Sequence, residues 1–207
     1  SSISVYGGGK NYFGQNKIVS EDSATKIHDY YSKSKLDADL IIQNFVKQKL
    51  NKNISYTILR ISNVFGGRRK SNLFKYIRFS FKLGFWVKCY NDIVFNFINV
   101  KDVSHAVFLV VSNLKISKNK IYIVSDDCKQ YHLYERYQIL YKKKIIKAYA
   151  PITLVKFLFY FLPLPKKIIN FILVVSSRVS YSNKKIKKEL NFKPKFSILK
   201  NTNLLNE

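Results

Sequence analysis

The chain has 207 residues, enough for one domain with a substantial core, or one domain and a small lobe. Hydrophobic residues make up 47% and aromatic residues 15%, which excludes a disordered chain. Lysine and arginine outnumber aspartate and glutamate by 37 to 12, a formal charge of +25 that attracts anions without naming one. The lysines are spread over the chain, with clusters only at Lys142 to Lys144 and Lys184 to Lys188. Nucleic-acid readers concentrate their charge in a stripe or a known module, so no nucleic-acid partner is expected. There is no methionine, even at position 1, so a processed chain or a fragment is expected, and secretion is not expected. Cys89 and Cys128 fit no metal or redox spacing, and His28, His105 and His132 are scattered, so no metal site is expected.

In chain order, residues 1 to 6 read as the tail of a buried strand, followed by a long polar loop to about Lys26. Gly9-Lys10 lacks the residues of a phosphate-binding loop and reads as a turn. From His28 to Leu50 the apolar residues Leu36, Leu40, Ile41, Phe45 and Val46 recur at helical spacing, with Asp29 as N-cap. Ile54 to Ile61 is rich in strand formers, and helix plus strand make a crossover to a parallel neighbour. Asn72 to Leu83 predicts a helix, and Val87 to Tyr90 with Ile93 to Ile98 predicts two strands around an Asn91-Asp92 turn. Val100 to Ser112 predicts a helix with Val103, Ala106, Val107, Val110 and Val111 facing inward. A strand over Lys120 to Val124, ending in Ser125-Asp126-Asp127, and a helix over Tyr131 to Tyr141 follow. Ile152 to Val175 is the most apolar stretch, but Leu162-Pro163-Leu164-Pro165 splits it into runs too short to cross a bilayer. Two short helices of a substrate lobe are expected there, and membrane contact is not.

The chemistry centres on Tyr31-Ser32-Lys33-Ser34-Lys35. A tyrosine and a lysine four apart on a helix share one face, and an ammonium held there favours the phenolate, which suits a proton shuttle for carbonyl and alcohol chemistry. Upstream stands Ser1-Ser2-Ile3-Ser4-Val5-Tyr6-Gly7. Downstream come Arg60-Ile61-Ser62-Asn63-Val64-Phe65-Gly66, then Asn99-Val100-Lys101-Asp102-Val103, then Tyr181 to Pro194. In this order and at these distances the set resembles the extended short-chain dehydrogenase/reductase family, specifically its nucleotide-sugar epimerases, dehydratases and reductases. The resemblance runs from residue 1 to about 198 and implies that the chain starts where such a protein is about a third complete. The glycine-rich dinucleotide turn and the first strands, on the order of 100 residues, would then lie elsewhere. Without them strands 1 to 6 and 54 to 61 would expose an edge, and the chain alone is expected to be unstable or inactive.

The fold class the resemblance implies is α/β: the last strands of a Rossmann-like parallel sheet with a small mixed substrate-binding lobe. Residues 1–66 belong to the dinucleotide-binding domain and 67–207 mainly to the lobe, with 93–125 returning to the core. It implies that Ser2 hydrogen-bonds the sugar oxygen and that Tyr31 takes or gives its proton. Lys35 grips the nicotinamide ribose of NAD or NADP, Ser62 lines the cofactor and Asn63 contacts the substrate, a nucleoside-diphosphate sugar. Arg60 and Asp102 match family positions and read as scaffold. Phe95-Asn96-Phe97 stands where relatives carry a diphosphate-binding arginine, leaving Arg68, Arg69, Arg78 or Arg178 to serve. Ile3-Ser4 stand where dehydratases carry Asp-Glu, which leaves an epimerase or keto-sugar reductase for surface-polysaccharide synthesis. The same resemblance implies a cytoplasmic homodimer. A non-catalytic remnant or partner subunit is the second reading, and a basic surface binder of lipid or nucleic acid is the third and least favoured.

Overall fold

The structure, a computed structural model, describes residues 1–7, 12, 15–48, 53–66, 72–88, 90, 92–142, 144–161, 163, 165, 169, 172 and 176–198. Its strands are β1 (Asn16–Val19), β2 (Thr57–Ile61), β3 (Asn63–Phe65), β4 (Phe85–Lys88), β5 (Val94–Phe95), β6 (Phe97–Asn99), β7 (Lys120–Val124), β8 (Cys128–Lys129), β9 (Ile146–Tyr149) and β10 (Arg178–Tyr181). Its helices are α1 (Tyr30–Lys47), α2 (Asn72–Leu83), α3 (Val100–Ser112), α4 (Leu114–Ser117), α5 (Gln130–Tyr141), α6 (Ile152–Phe161) and α7 (Lys184–Leu190). The Gly9-Lys10 turn, Arg68, Arg69 and Cys89 lie outside the described residues, as does most of 162–175, where the second apolar helix is expected.

Strand β2 is the centre of the α/β layer. On one side it pairs in parallel with β7, Thr57 opposite Lys120 through Ile61 opposite Val124. On the other side Ile61 bridges Ser2 in parallel. Residues alternate across the pleat. Leu59 and Ile61 therefore pack with Tyr122, Val124, Ala106 and Val110 of one apolar cluster, closed by Ile186, Leu190 and Phe192 from the α7 region. Arg60 turns to the opposite face, where Ile123 joins Ile3, Val5, Tyr6 and Leu36. Helices α1 and α3 thus cover opposite faces of the same strands.

A second core builds the lobe. Phe65, Ile77, Trp86, Phe95, Phe97, Leu133 and Tyr134 bury one another, with Trp86 stacked on Tyr134 at 4.2 Å between ring centroids. Strand β6 joins the two cores, because its neighbours Phe97 and Ile98 point to opposite faces and each is fully buried in a different cluster.

Several sequence expectations need correction. Beyond Ser2, residues Ile3–Tyr6 form a 3-10 turn rather than a strand, since Ser2 caps the turn by accepting from Ser4 N–H. The polar loop after Gly7 contains β1, which pairs with the distant β10. Its pattern is too short and too polar to read locally. The strands around Asn91-Asp92 do not form a hairpin. Instead β4 pairs with β9, β5 with β8 and β6 with β3, so long-range partners override the local turn. Val107 and Val111 of α3 are exposed, as are Leu40, Ile41 and Phe45 of α1, so both helices carry a wider apolar surface than the described core covers.

Asp102 does more than open its helix. Asn99 is the N-cap of α3, accepting from Lys101 N–H, which frees the Asp102 carboxylate to accept from Lys195 N–H (2.8 Å) and Phe196 N–H (3.0 Å). Asp102→Ala leaves both donors without an acceptor and is expected to cost about 2 kcal/mol in urea unfolding. A loss within error would show that the C-terminal segment is held by other contacts.

Candidate active site

The site collects at the C-terminal ends of parallel strands, where open α/β sheets place their ligands. Ser2 ends the first strand segment, Ser62 follows β2, and Ser125 to Asp127 follow β7. Helix α1 is nucleated at this end by a reciprocal cap. Asp29 Oδ1 accepts from Ser32 N–H at 2.7 Å, and Ser32 Oγ accepts from Asp29 N–H at 3.1 Å. Such a box satisfies two orphan donors and fixes the first turn. That turn carries Tyr31, 53% exposed, and Lys35 follows one turn on, its ammonium 5.4 Å from the Tyr31 ring centroid. Tyr30, its neighbour, is 93% exposed, and the residue four on is Ser34.

A buried carboxylate ties the site-bearing segments together. Asp39 lies one turn beyond Lys35 and is buried. Its Oδ2 accepts from Arg60 Nε at 3.1 Å and from Ser1 Oγ at 3.0 Å. Arg60 in turn lies over the Tyr6 ring at 4.7 Å, a cation–π contact between strand and turn. One anion therefore links α1 with Tyr31 and Lys35, the Ser1-Ser2 segment, and the strand that leads to Ser62 and Asn63. The sequence marks Arg60 as scaffold, and this pairing is its partner. Asp39 went unread because its signal, a carboxylate at helical spacing from Lys35, is common on any helix.

Ser62 is buried, and its Oγ has no hydrogen-bond partner among the described residues, although its N–H donates to Val124 C=O at 3.1 Å. A buried hydroxyl left unpaired is costly, and a ligand that pairs it recovers that cost. Together with the Lys35 cation, it suits the polar end of a dinucleotide. Asn63 is exposed, with its side-chain N–H2 donating to Asn96 C=O at 3.0 Å. Of the arginines considered for a diphosphate, Arg178 lies over the Tyr90 ring at 4.6 Å and pairs with Asp92 at 2.6 Å. Arg78 falls within α2.

Asp127 is a second feature that the pattern of the sequence hides. Its carboxylate accepts from Ser125 Oγ, from Tyr181 N–H at 2.5 Å and from the Asn96 side chain, knotting the end of β7 to β10. Enclosure pushes the carboxyl up to about 6 from an ordinary 3.8, against the lowering effect of those hydrogen bonds.

The family model for the NAD dependent epimerase/dehydratase family matches residues 1–125. No curated protein matches the chain. Among solved structures, the chain is similar to UDP-glucuronic acid 4-epimerase from Bacillus cereus in complex with NAD, at 15% identity and TM-score 0.65, covering 97% of this chain and 56% of that one. It is similar to RMD from Pseudomonas aeruginosa complexed with NADPH, at 16% identity and TM-score 0.64, covering 99% of this chain and 62% of that one. L-threonine dehydrogenase from Phytophthora infestans matches at 12% identity and TM-score 0.67, covering 100% of this chain and 63% of that one. The chain thus spans less than two thirds of each of these structures, and what they share with it is the fold.

Two outcomes follow. Asp39→Ala leaves Arg60 buried without its anion and is expected to cost about 3–5 kcal/mol, whereas Asp39→Leu combined with Arg60→Met recovers most of that loss. Equal destabilisation by single and double variants would refute the pairing account. For Asp127 the folded value exceeds the unfolded one, so the fold favours the protonated form. That stability is whole below about pH 4 and is lost as pH rises towards about pH 6. Asp127→Asn should therefore gain stability relative to the parent across that interval, by about 2 kcal/mol, read as unfolding midpoints against pH. A pH-independent difference would remove Asp127 as the cause.

Proposed function

The chain belongs to the NAD dependent epimerase/dehydratase family, and on that premise we propose that it carries the acid–base machinery of a nucleotide-sugar epimerase or keto-sugar reductase. The observation that carries this reading is the Tyr31–Lys35 pair on the capped first turns of α1, linked through Asp39 to the segment bearing Ser2. In this reading Tyr31 Oη exchanges a proton with the sugar oxygen, and Ser2 Oγ hydrogen-bonds that same oxygen. Lys35 supplies the positive charge against which the phenolate forms, and it holds the ribose next to the nicotinamide. Ser62 pairs its buried hydroxyl with the cofactor. Bound NAD or NADP supplies the hydride exchange at the sugar carbon. Asn63, exposed at the strand end, contacts the nucleoside-diphosphate sugar.

A dehydratase needs an acid–base pair to expel water, and Ile3-Ser4 stand at the positions of that pair, so the proposal stays with epimerisation or reduction. The surface-polysaccharide role, the cytoplasmic setting and the homodimer are supported by the family resemblance alone. Because the chain spans only part of its structural neighbours, the activity is assigned to the complete enzyme.

The test is Tyr31→Phe in the complete enzyme, assayed with UDP-sugars and with L-threonine. Turnover of a UDP-sugar should fall by roughly a thousandfold while cofactor binding persists. Unchanged turnover would remove Tyr31 from the mechanism, and turnover of L-threonine alone would overturn the sugar assignment.

A further inference from the structure

The positive charge is less evenly distributed than the spread of lysines suggests, because the acids are missing from particular segments. No aspartate or glutamate occurs in residues 67–91, and none in residues 136–188. These two segments meet in the lobe, where β4 pairs in parallel with β9, Phe85 opposite Ile146.

An apolar strip runs over the outside of that pairing. Phe79 and Leu83 lie one turn apart on α2 and are each 59% exposed. Gly84, at φ +64, turns the chain directly into β4, where Phe85 is exposed. Partners in register on a parallel pair share a face, so Phe85 and Ile146 are exposed side by side. The bond from Ile146 N–H to Gly84 C=O (2.8 Å) fixes this junction. Lys75 and Lys82 flank the strip on α2, and Lys142 and Lys144 flank it before β9, all four exposed. The next helix repeats the display, with Leu154, Phe157 and Phe161 exposed at helical spacing.

We propose that this strip is a peripheral docking surface for an anionic phospholipid membrane. Exposed aromatic and aliphatic side chains with lysines on the same elements, in two segments that hold no acid, are what an interfacial site requires. A nucleic acid would use the lysines and could stack on the phenylalanines, but it gains nothing from Leu83 and Ile146. No helix among the described residues is long and apolar enough to cross a membrane, so the contact lies on the surface. The short apolar runs argue only against crossing. Surface contact depends on which side chains the fold leaves outside, and run length does not report that.

The experiment is co-sedimentation of the complete enzyme with vesicles of phosphatidylcholine, alone or mixed with phosphatidylglycerol. Binding to the mixed vesicles and its loss at high salt are expected. Phe79→Ser with Leu83→Ser should weaken it roughly tenfold or more. Both side chains are largely exposed, so the circular dichroism of that variant should match the parent. Lys142→Glu with Lys144→Glu should weaken binding to the anionic vesicles in turn. No binding to anionic vesicles at low salt would overturn the proposal. So would binding that ignores the Phe79/Leu83 change, or tight binding to duplex DNA that the lysine change alone abolishes.

Discussion

The Asp39 carboxylate is the constraint on which the arrangement of the site depends. It sits buried between a helix and a sheet, and the guanidinium of Arg60 and the hydroxyl of Ser1 compensate it for lost water. A buried anion tolerates little variation in its partners, because every displacement leaves charge unpaired in a poorly polarisable surrounding. The helix therefore cannot slide along β2, nor the Ser1-Ser2 segment along the helix, without breaking that bond. The positions of Tyr31 and Lys35 relative to the strand ends inherit this rigidity, although neither residue touches Asp39 in the hydrogen-bond network. The Asp29–Ser32 box does the same at the opposite end of the relevant turns, fixing where α1 begins.

The sheet and the lobe are built on different chemistry. The strands around β2 are aliphatic on one face and carry the ion pair on the other, whereas the lobe is packed with aromatic rings. Strand β6 serves both by simple alternation, Phe97 for the lobe and Ile98 for the sheet. The Asp127 knot adds a polar joint, with β7, β10 and Asn96 converging on one carboxylate. The sheet and the lobe are thus joined through β6, and β7 and β10 through the Asp127 carboxylate.

Much of this was legible in the sequence where the signal is local. The helix over Asn72–Leu83, the helix over Val100–Ser112, the strand over Lys120–Val124 and the Asp29 cap follow from periodicity and capping chemistry, and the structure shows those bounds. The 3-10 turn after Ser2 was hidden because Ile3 and Val5 alternate as a strand does. The β1–β10 and β4–β9 pairs were hidden because nothing near a strand states its distant partner. The inward side of α3 was misjudged for Val107 and Val111, since apolar identity gives a helix face without saying whether anything covers it. Of the candidate site, Tyr31 and Lys35 could be found by spacing, and the structure brings them into contact. Asp39 and Asp127 could not, because their importance comes from what surrounds them.

The pairing of β1 with β10 has a consequence for how the chain matures on the ribosome. The Tyr181 hydroxyl donates to the Gly7 carbonyl across 174 residues of sequence, and β1 finds its only strand partner among the described residues in β10. Synthesis proceeds from the amino end, so β1 leaves the exit tunnel long before its partner exists. For most of translation its backbone donors and acceptors remain open, the condition in which strands seek wrong neighbours. Closure of the loop between the Ser2 turn and α1 must therefore come late, after the sheet and lobe have formed. The candidate site is then among the last parts of the protein to mature, and a nascent chain arrested before Tyr181 would display Tyr31 on a helix whose neighbouring loop had not yet been fastened.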